Sequence, residues 1–155
     1  MAQTDFLVGD IYANTQKVLK ACEYARDTQA ADLIVFPELT LTGYPPEDLL
    51  FRPHFIEHVE AAVDYLRQQI KGIAAIIGYP LKQQDALYNE AGVFQDGIVS
   101  VYRKQHLPNY SVYDEKRYYF ARDQASVETI RDVTICITVS EYILEPGTVQ
   151  QAAAA

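Results

Sequence analysis

A chain of 155 residues has room for one modest domain and not for two well-cored ones. Hydrophobic residues make up 49% and charged residues 22%, an ordinary globular balance, and a net charge of −8 leaves no basic stripe for a nucleic acid. No apolar run approaches the ~18 residues of a membrane span, and the opening residues do not read as a basic-then-apolar leader. Cys22 and Cys136 lie too far apart to read as a disulfide framework, so a reducing cytoplasm is the default setting.

The chain then alternates between helical and strand patterns. Residues 1–3 read as the end of a strand and residues 6–10 as a loop. Asn14 or Thr15 can cap a helix running to residue 29, with Val18, Leu19, Cys22 and Ala25 on its apolar face. Residues 31–36 are a strand, and residues 39–46, with Gly43 and Pro45-Pro46, a turn-rich loop. Residues 53–70 form a second helix on the spacing of Phe55, Val59, Ala62, Val63 and Leu66, followed by a short apolar strand at 73–78. Gln95-Asp96-Gly97 between strand patterns at 87–94 and 98–103 is a strong hairpin signal. Residues 106–120 are a long aromatic loop, and two more strands, 127–130 and 133–139, flank Arg131-Asp132. Parallel strands with crossover helices, followed by a meander, predict a mixed α/β sheet. Residues 150–155 read as the first turn of a helix, and the whole as part of a larger protein.

Three polar residues sit just after strand-like runs: Glu38, Lys104 and Ser140. Strand ends of open α/β sheets are where ligands usually bind. Each has a plainer reading: Glu38 as a cap or structural ion pair, Lys104 as a solvated side chain, Ser140 as a turn residue. Together they make chemical sense. A carboxylate beside an ammonium can act as general base while the lysine stabilises developing negative charge, and a hydroxyl or thiol between them is the nucleophile. The only basic cluster is Arg103, Lys104, Lys116 and Arg117, which leaves room for a small anionic or polar substrate. His54, His58 and His106 lack metal-ligand spacing, so no metal site is expected.

Phe36-Pro37-Glu38-Leu39, continuing through Leu41-Thr42-Gly43-Tyr44-Pro45-Pro46-Glu47-Asp48-Leu49-Leu50, resembles the first motif of the nitrilase superfamily of carbon–nitrogen hydrolases. Tyr102-Arg103-Lys104-Gln105-His106-Leu107-Pro108-Asn109-Tyr110 with Asp114-Glu115-Lys116-Arg117-Tyr118 resembles the second. Both are similar to the version in the glutaminase domain of glutamine-dependent NAD synthetases, and Val8-Gly9-Asp10-Ile11 with Asn14 resembles that family's opening loop. The resemblance runs over almost the whole chain. It implies an α-β-β-α sandwich, here partial, with a mixed sheet covered by two helices and a Glu–Lys–Cys triad. By the same resemblance Glu38 matches the general base, Lys104 the oxyanion-stabilising lysine and Glu115 a second glutamate that orients the lysine. Tyr44 and Tyr110 are expected to line the glutamine pocket, and Glu141 to support the site.

The third motif departs from the family's Ile-Cys-Glu-Asp-x-Trp. Glu141, Pro146 and Gly147 fix the register, which places Ser140 at the nucleophile, Tyr142 at the aspartate and Leu144 at the tryptophan. Cys136, four residues earlier, would lie about a dozen ångströms away along a strand and is not a substitute. A serine hydroxyl is far harder to ionise than a thiol. The resemblance therefore implies the N-terminal part of a glutamine amidohydrolase domain. That domain would pass ammonia to a synthetase domain absent from these residues, where ATP and magnesium would be used; no cofactor is expected within this chain. Catalysis by residues 1–155 alone is expected to be weak or nil. The alternatives are a stand-alone carbon–nitrogen amidase and a catalytically inactive interaction module. The two helices are expected on one side of the sheet, including an association face for a homo-oligomer.

Overall fold

The computed structural model describes residues 1–111, 113–122 and 126–140. Its elements are helix α1 (Ile11–Asp27), strand β1 (Leu33–Val35), a 3-10 turn (Glu47–Phe51), helix α2 (Pro53–Gln69), strands β2 (Ala74–Gln83), β3 (Ala86–Gln95) and β4 (Ile98–Arg103), a second 3-10 turn (Glu115–Arg117), and strands β5 (Ser126–Ile130) and β6 (Val133–Ile137). The proposed terminal helix turn and Glu141 lie outside the described residues.

Helix α1 begins earlier than the sequence predicts. Asp10, not Asn14 or Thr15, is the cap, accepting the Ala13 backbone N–H at 3.0 Å. Asn14 is fully buried and serves another purpose: its amide bonds Leu7 through both N–H and C=O and donates to the Leu41 carbonyl at 3.1 Å. It ties the opening loop to the segment that follows Glu38. Thr15 bonds back to the Ile11 carbonyl within the helix. Helix α2 starts where Pro53 places it, since proline at the first helical position loses no intrahelical bond.

Four strands form one mixed sheet in the order β1-β2-β3-β4. β1 runs parallel to β2, as the intervening crossover requires, and β2, β3 and β4 form an antiparallel meander. β2 is longer than expected, pairing with β3 from Ala75 to Gln83. β1 leaves its other edge after Ile76, so Pro80 sits where no ladder N–H is needed on that side. β1 is shorter than expected because Pro37 ends the ladder after the Phe36 N–H has bonded Ile76 O at 2.9 Å.

Both helices cover one face of this sheet, with Val18, Cys22, Val59 and Leu66 joining Ile34, Ala75, Ile77 and Phe94 in a single core. The other face is covered by β5 and β6, which pair only with each other among the described residues. Ile130 and Ile137 pack there on Ala74, Ala91, Val93 and Tyr102. The chain is thus layered helices, sheet, second sheet. The expected strand 133–139 ends at Ile137, and Ser140 takes a left-handed backbone with φ of 60°. The strand geometry by which the distance from Cys136 was reckoned therefore does not extend to residue 140.

Candidate active site

Glu38 and Lys104 come from opposite edges of the main sheet. Two backbone features bring them together. After β1 the chain crosses over β2 at Gly78, so closely that a Cβ there would lie 2.6 Å from Leu39 N, 2.9 Å from Pro37 O and 3.0 Å from Glu38 Cα. Only glycine leaves space for that crossing. Leu39 then reverses the chain in the left-handed region, with φ of 52°. At the far edge, Lys104 follows β4 and its backbone N–H bonds Asn89 O at 2.9 Å, which extends the ladder by one more bond.

The Lys104 ammonium is the centre of the arrangement, with its side chain 1% exposed. It donates to Glu38 Oε1 at 2.7 Å and to Glu115 Oε1 at 2.8 Å. Glu115 is held by the 3-10 turn within the aromatic loop, its backbone N–H bonding Pro108 O. Burial raises the Glu115 carboxyl above the ordinary range, and Lys104 opposes that shift. One cation therefore faces two carboxylates. Two of the three ammonium protons are engaged among the described residues, and the third can meet negative charge developing on a substrate.

This cluster lies between two concavities. The first, of about 280 Å³, is walled by Tyr44, Pro45, Pro46, Tyr113, Glu115, Tyr118 and Tyr119, a volume at the small end of ligand pockets. Burial and then the charges of Glu115 and Glu38 push the Tyr44 phenol up to about 12, so it stays a hydrogen-bond donor at neutral pH. The second concavity lies between the two sheets and contains Glu38, Asn89, Thr138 and Ser140. The Ser140 backbone conformation is unfavourable for a residue with a Cβ, a kind of strain that collects at functional sites.

The structure thus joins Glu38, Lys104 and Glu115 by direct contacts and places Ser140 in the cleft that Glu38 lines. Tyr44 reaches the neighbouring pocket. Tyr110 is half exposed, its ring 5.7 Å from that of Tyr113, and is not among the residues walling either concavity. Among the described residues no group of three His, Cys, Asp or Glu side chains is placed to hold a metal ion, and no helix is long and apolar enough to cross a membrane. Sequence reasoning missed Asn89, which donates from Nδ2 to Glu38 Oε1 at 2.7 Å. It sits in register with Ala91 and Val93 on the inward face of β3, a position that does not by itself mark an amide as functional.

A buried lysine bridging two glutamates, on a mixed sheet with helices on one face and a second sheet on the other, defines a carbon–nitrogen hydrolase. The chain belongs to that family, whose model (Carbon-nitrogen hydrolase) matches residues 1–145. Within it, the chain is 42% identical over 144 residues to the glutamine-dependent NAD(+) synthetase of Xylella fastidiosa (strain Temecula1), covering 91% of this chain and 26% of that protein. The solved glutamine-dependent NAD+ synthetase of Acinetobacter baumannii, in complex with ADP, superposes with a TM-score of 0.94 at 38% identity, covering 99% of this chain and 29% of that one. An amidase from Nesterenkonia sp. AN1 superposes at 0.84 with 21% identity over 98% of this chain and 60% of that one, a likeness of fold alone. The chain spans about a quarter of the length of the curated relatives it matches.

Proposed function

We propose that residues 1–155 are the N-terminal part of the glutamine amidohydrolase domain of a glutamine-dependent NAD synthetase. The observation that carries this reading is the Lys104 ammonium held between Glu38 and Glu115 beside a cleft containing Ser140. The likeness to NAD synthetases of that kind supports glutamine as the substrate and a synthetase domain as the acceptor of ammonia. ATP and magnesium belong, on this reading, to that second domain.

In the proposed reaction the residue-140 side chain attacks the glutamine side-chain carbonyl as Glu38 takes its proton. The Lys104 ammonium steadies the oxyanion, the C–N bond breaks, and the nitrogen leaves as ammonia with the proton returned from Glu38. Water then cleaves the glutamyl intermediate to glutamate, with Glu38 taking a proton from the water and returning it to the departing residue-140 side chain. Glu115 orients Lys104, Glu141 supports the site, and Tyr44 and Tyr110 contact the substrate. Homo-oligomerisation is part of this reading, supported by the exposed rings of Tyr12 and Tyr65 on the two helices. Cytoplasmic location is supported by the two free cysteines.

The hydroxyl at residue 140 favours a second reading for the chain as it stands, an inactive module of the same fold. Glutamate release from glutamine separates the two. The parent chain is expected to match a Glu38→Ala control, and Ser140→Cys to raise release at least ~10-fold by supplying an ionisable nucleophile. Failure of Ser140→Cys to raise it favours the inactive module. Release by the parent chain well above the Glu38→Ala control removes the argument that serine disables the site.

A further inference from the structure

Asn89 is 1% exposed on the face of β3 that meets the second sheet. Its Nδ2 donates at 2.7 Å to Glu38 Oε1, the same oxygen that accepts Lys104 at 2.7 Å. The amide can be oriented only this way round, because an ionised carboxylate only accepts. The other end, Oδ1, is buried without a partner among the described residues. An amide retained for the stability of the sheet would have both ends bonded, since a half-bonded buried amide does worse than an apolar residue of its size.

The position of Asn89 gives the amide a role. Glu38 reaches the site on a loop from the far edge of the sheet, and one ammonium contact would let its carboxylate pivot about Oε1. A second donor on that oxygen, from a different strand, fixes the carboxylate plane. Both of these bonds fall on Oε1, which leaves Oε2 to accept a proton in the cleft shared with Ser140. We propose that Asn89 is a positioning residue: with Lys104 it pins Oε1 of Glu38 so that Oε2 faces the nucleophile at residue 140. The inference rests on the reading of Glu38 as the general base.

The test is a double-substitution cycle in the Ser140→Cys chain, read as the rate at which iodoacetamide alkylates the introduced thiol. Peptide masses separate that product from alkylated Cys136, which is also exposed. In the reaction the S–C bond forms as C–I breaks, the thiol proton passes to Glu38 and iodide leaves. Glu38→Gln is expected to slow alkylation by roughly 10²-fold, and Asn89→Leu by roughly 10-fold through misorientation of the base. The two together should be no slower than Glu38→Gln alone. Asn89→Leu should also melt no lower than its parent, and Asn89→Ala, which removes the donor without adding an apolar contact, should slow the reaction equally.

Multiplying effects in the doubly substituted chain would overturn the proposal, as would an Asn89 variant that reacts at the parent rate while Glu38→Gln is slow. Slowing accompanied by a lowered melting temperature in both Asn89 variants would assign Asn89 to the fold instead. If Glu38→Gln itself has no effect, the reading of Glu38 as base falls and the inference falls with it.

Discussion

Lys104 is a buried cation that two carboxylates neutralise more than once over. Its loss should leave Glu38 and Glu115 facing each other without a counter-charge, and breaking such an arrangement from one side costs about 3 kcal/mol. We therefore expect Lys104→Met to destabilise the chain by that order at neutral pH. The deficit should shrink on acidification. Glu115 already lies above the ordinary carboxylate range through burial, and without the opposing lysine it rises further. In the window between the unfolded value and that raised value the folded chain holds the extra proton, so stability falls as pH rises through it. Urea denaturation of both chains at neutral and mildly acidic pH measures the difference, and a deficit that grows toward acid would contradict this account. At this scale the sequence was legible where motif and pattern coincided. Glu38 and Lys104 could be picked out because a polar residue after an apolar run invites explanation, and Glu115 only through the resemblance of its motif. Asn89 could not, because one amide inside a strand looks like many others until its partner across 51 residues is known.

At the scale of elements, β3 and β4 carry Asn89 and Lys104 on one face and a buried ion pair on the other. Arg103 Nε donates to Glu90 Oε1 at 2.8 Å, and its guanidinium lies over the Tyr88 ring at 4.4 Å. Burial raises the Glu90 carboxyl, with Arg103 opposing. By the same linkage Glu90 contributes a fall in stability with rising pH just above the ordinary carboxylate range. Glu90→Gln should flatten that part of the stability–pH curve, and an unchanged slope would show that the Arg103 pairing cancels the shift. Where β1 hands over to the loop, Gly78→Ala should cost about 1–3 kcal/mol, since the added methyl meets backbone atoms that cannot rotate away. The same substitution should shift Glu38 and lower any Glu38-dependent reactivity; a variant with parent stability would mean the crossing is looser than 2.6 Å implies. The elements themselves were largely readable, because long amphipathic helices and the Asp96-Gly97 hairpin announce themselves. Some missed boundaries are set locally, as where Pro37 ends β1, and others by contacts outside the element itself. Asn14 looked like a cap but bonds Leu41, and β2 looked short because its outer half is a strand only by virtue of pairing with β3.

At the scale of the whole molecule, the assignment of β5 and β6 to a layer of their own could not be read from their pattern, since strand periodicity says nothing about which neighbour a strand takes. They attach through apolar packing at Ile130 and Ile137 and through the exposed Arg131–Asp32 ion pair, which adds little. Ile137→Ala should therefore cost about 2–4 kcal/mol, seen as a lower urea midpoint, and a loss under 1 kcal/mol would mean that the hairpin is held by something else. The layering also bears on the chemistry. The base and its lysine are mounted on one sheet, while residue 140 follows the last strand of the other, so their separation is the thickness of a hydrophobic laminate. Ala74 and Ala91, the smallest side chains in that seam, act as its shims. Exchanging either for a larger aliphatic residue would widen the gap between nucleophile and base without altering a single polar group, so reaction distance in this fold is adjustable by the bulk of residues that carry no chemistry at all.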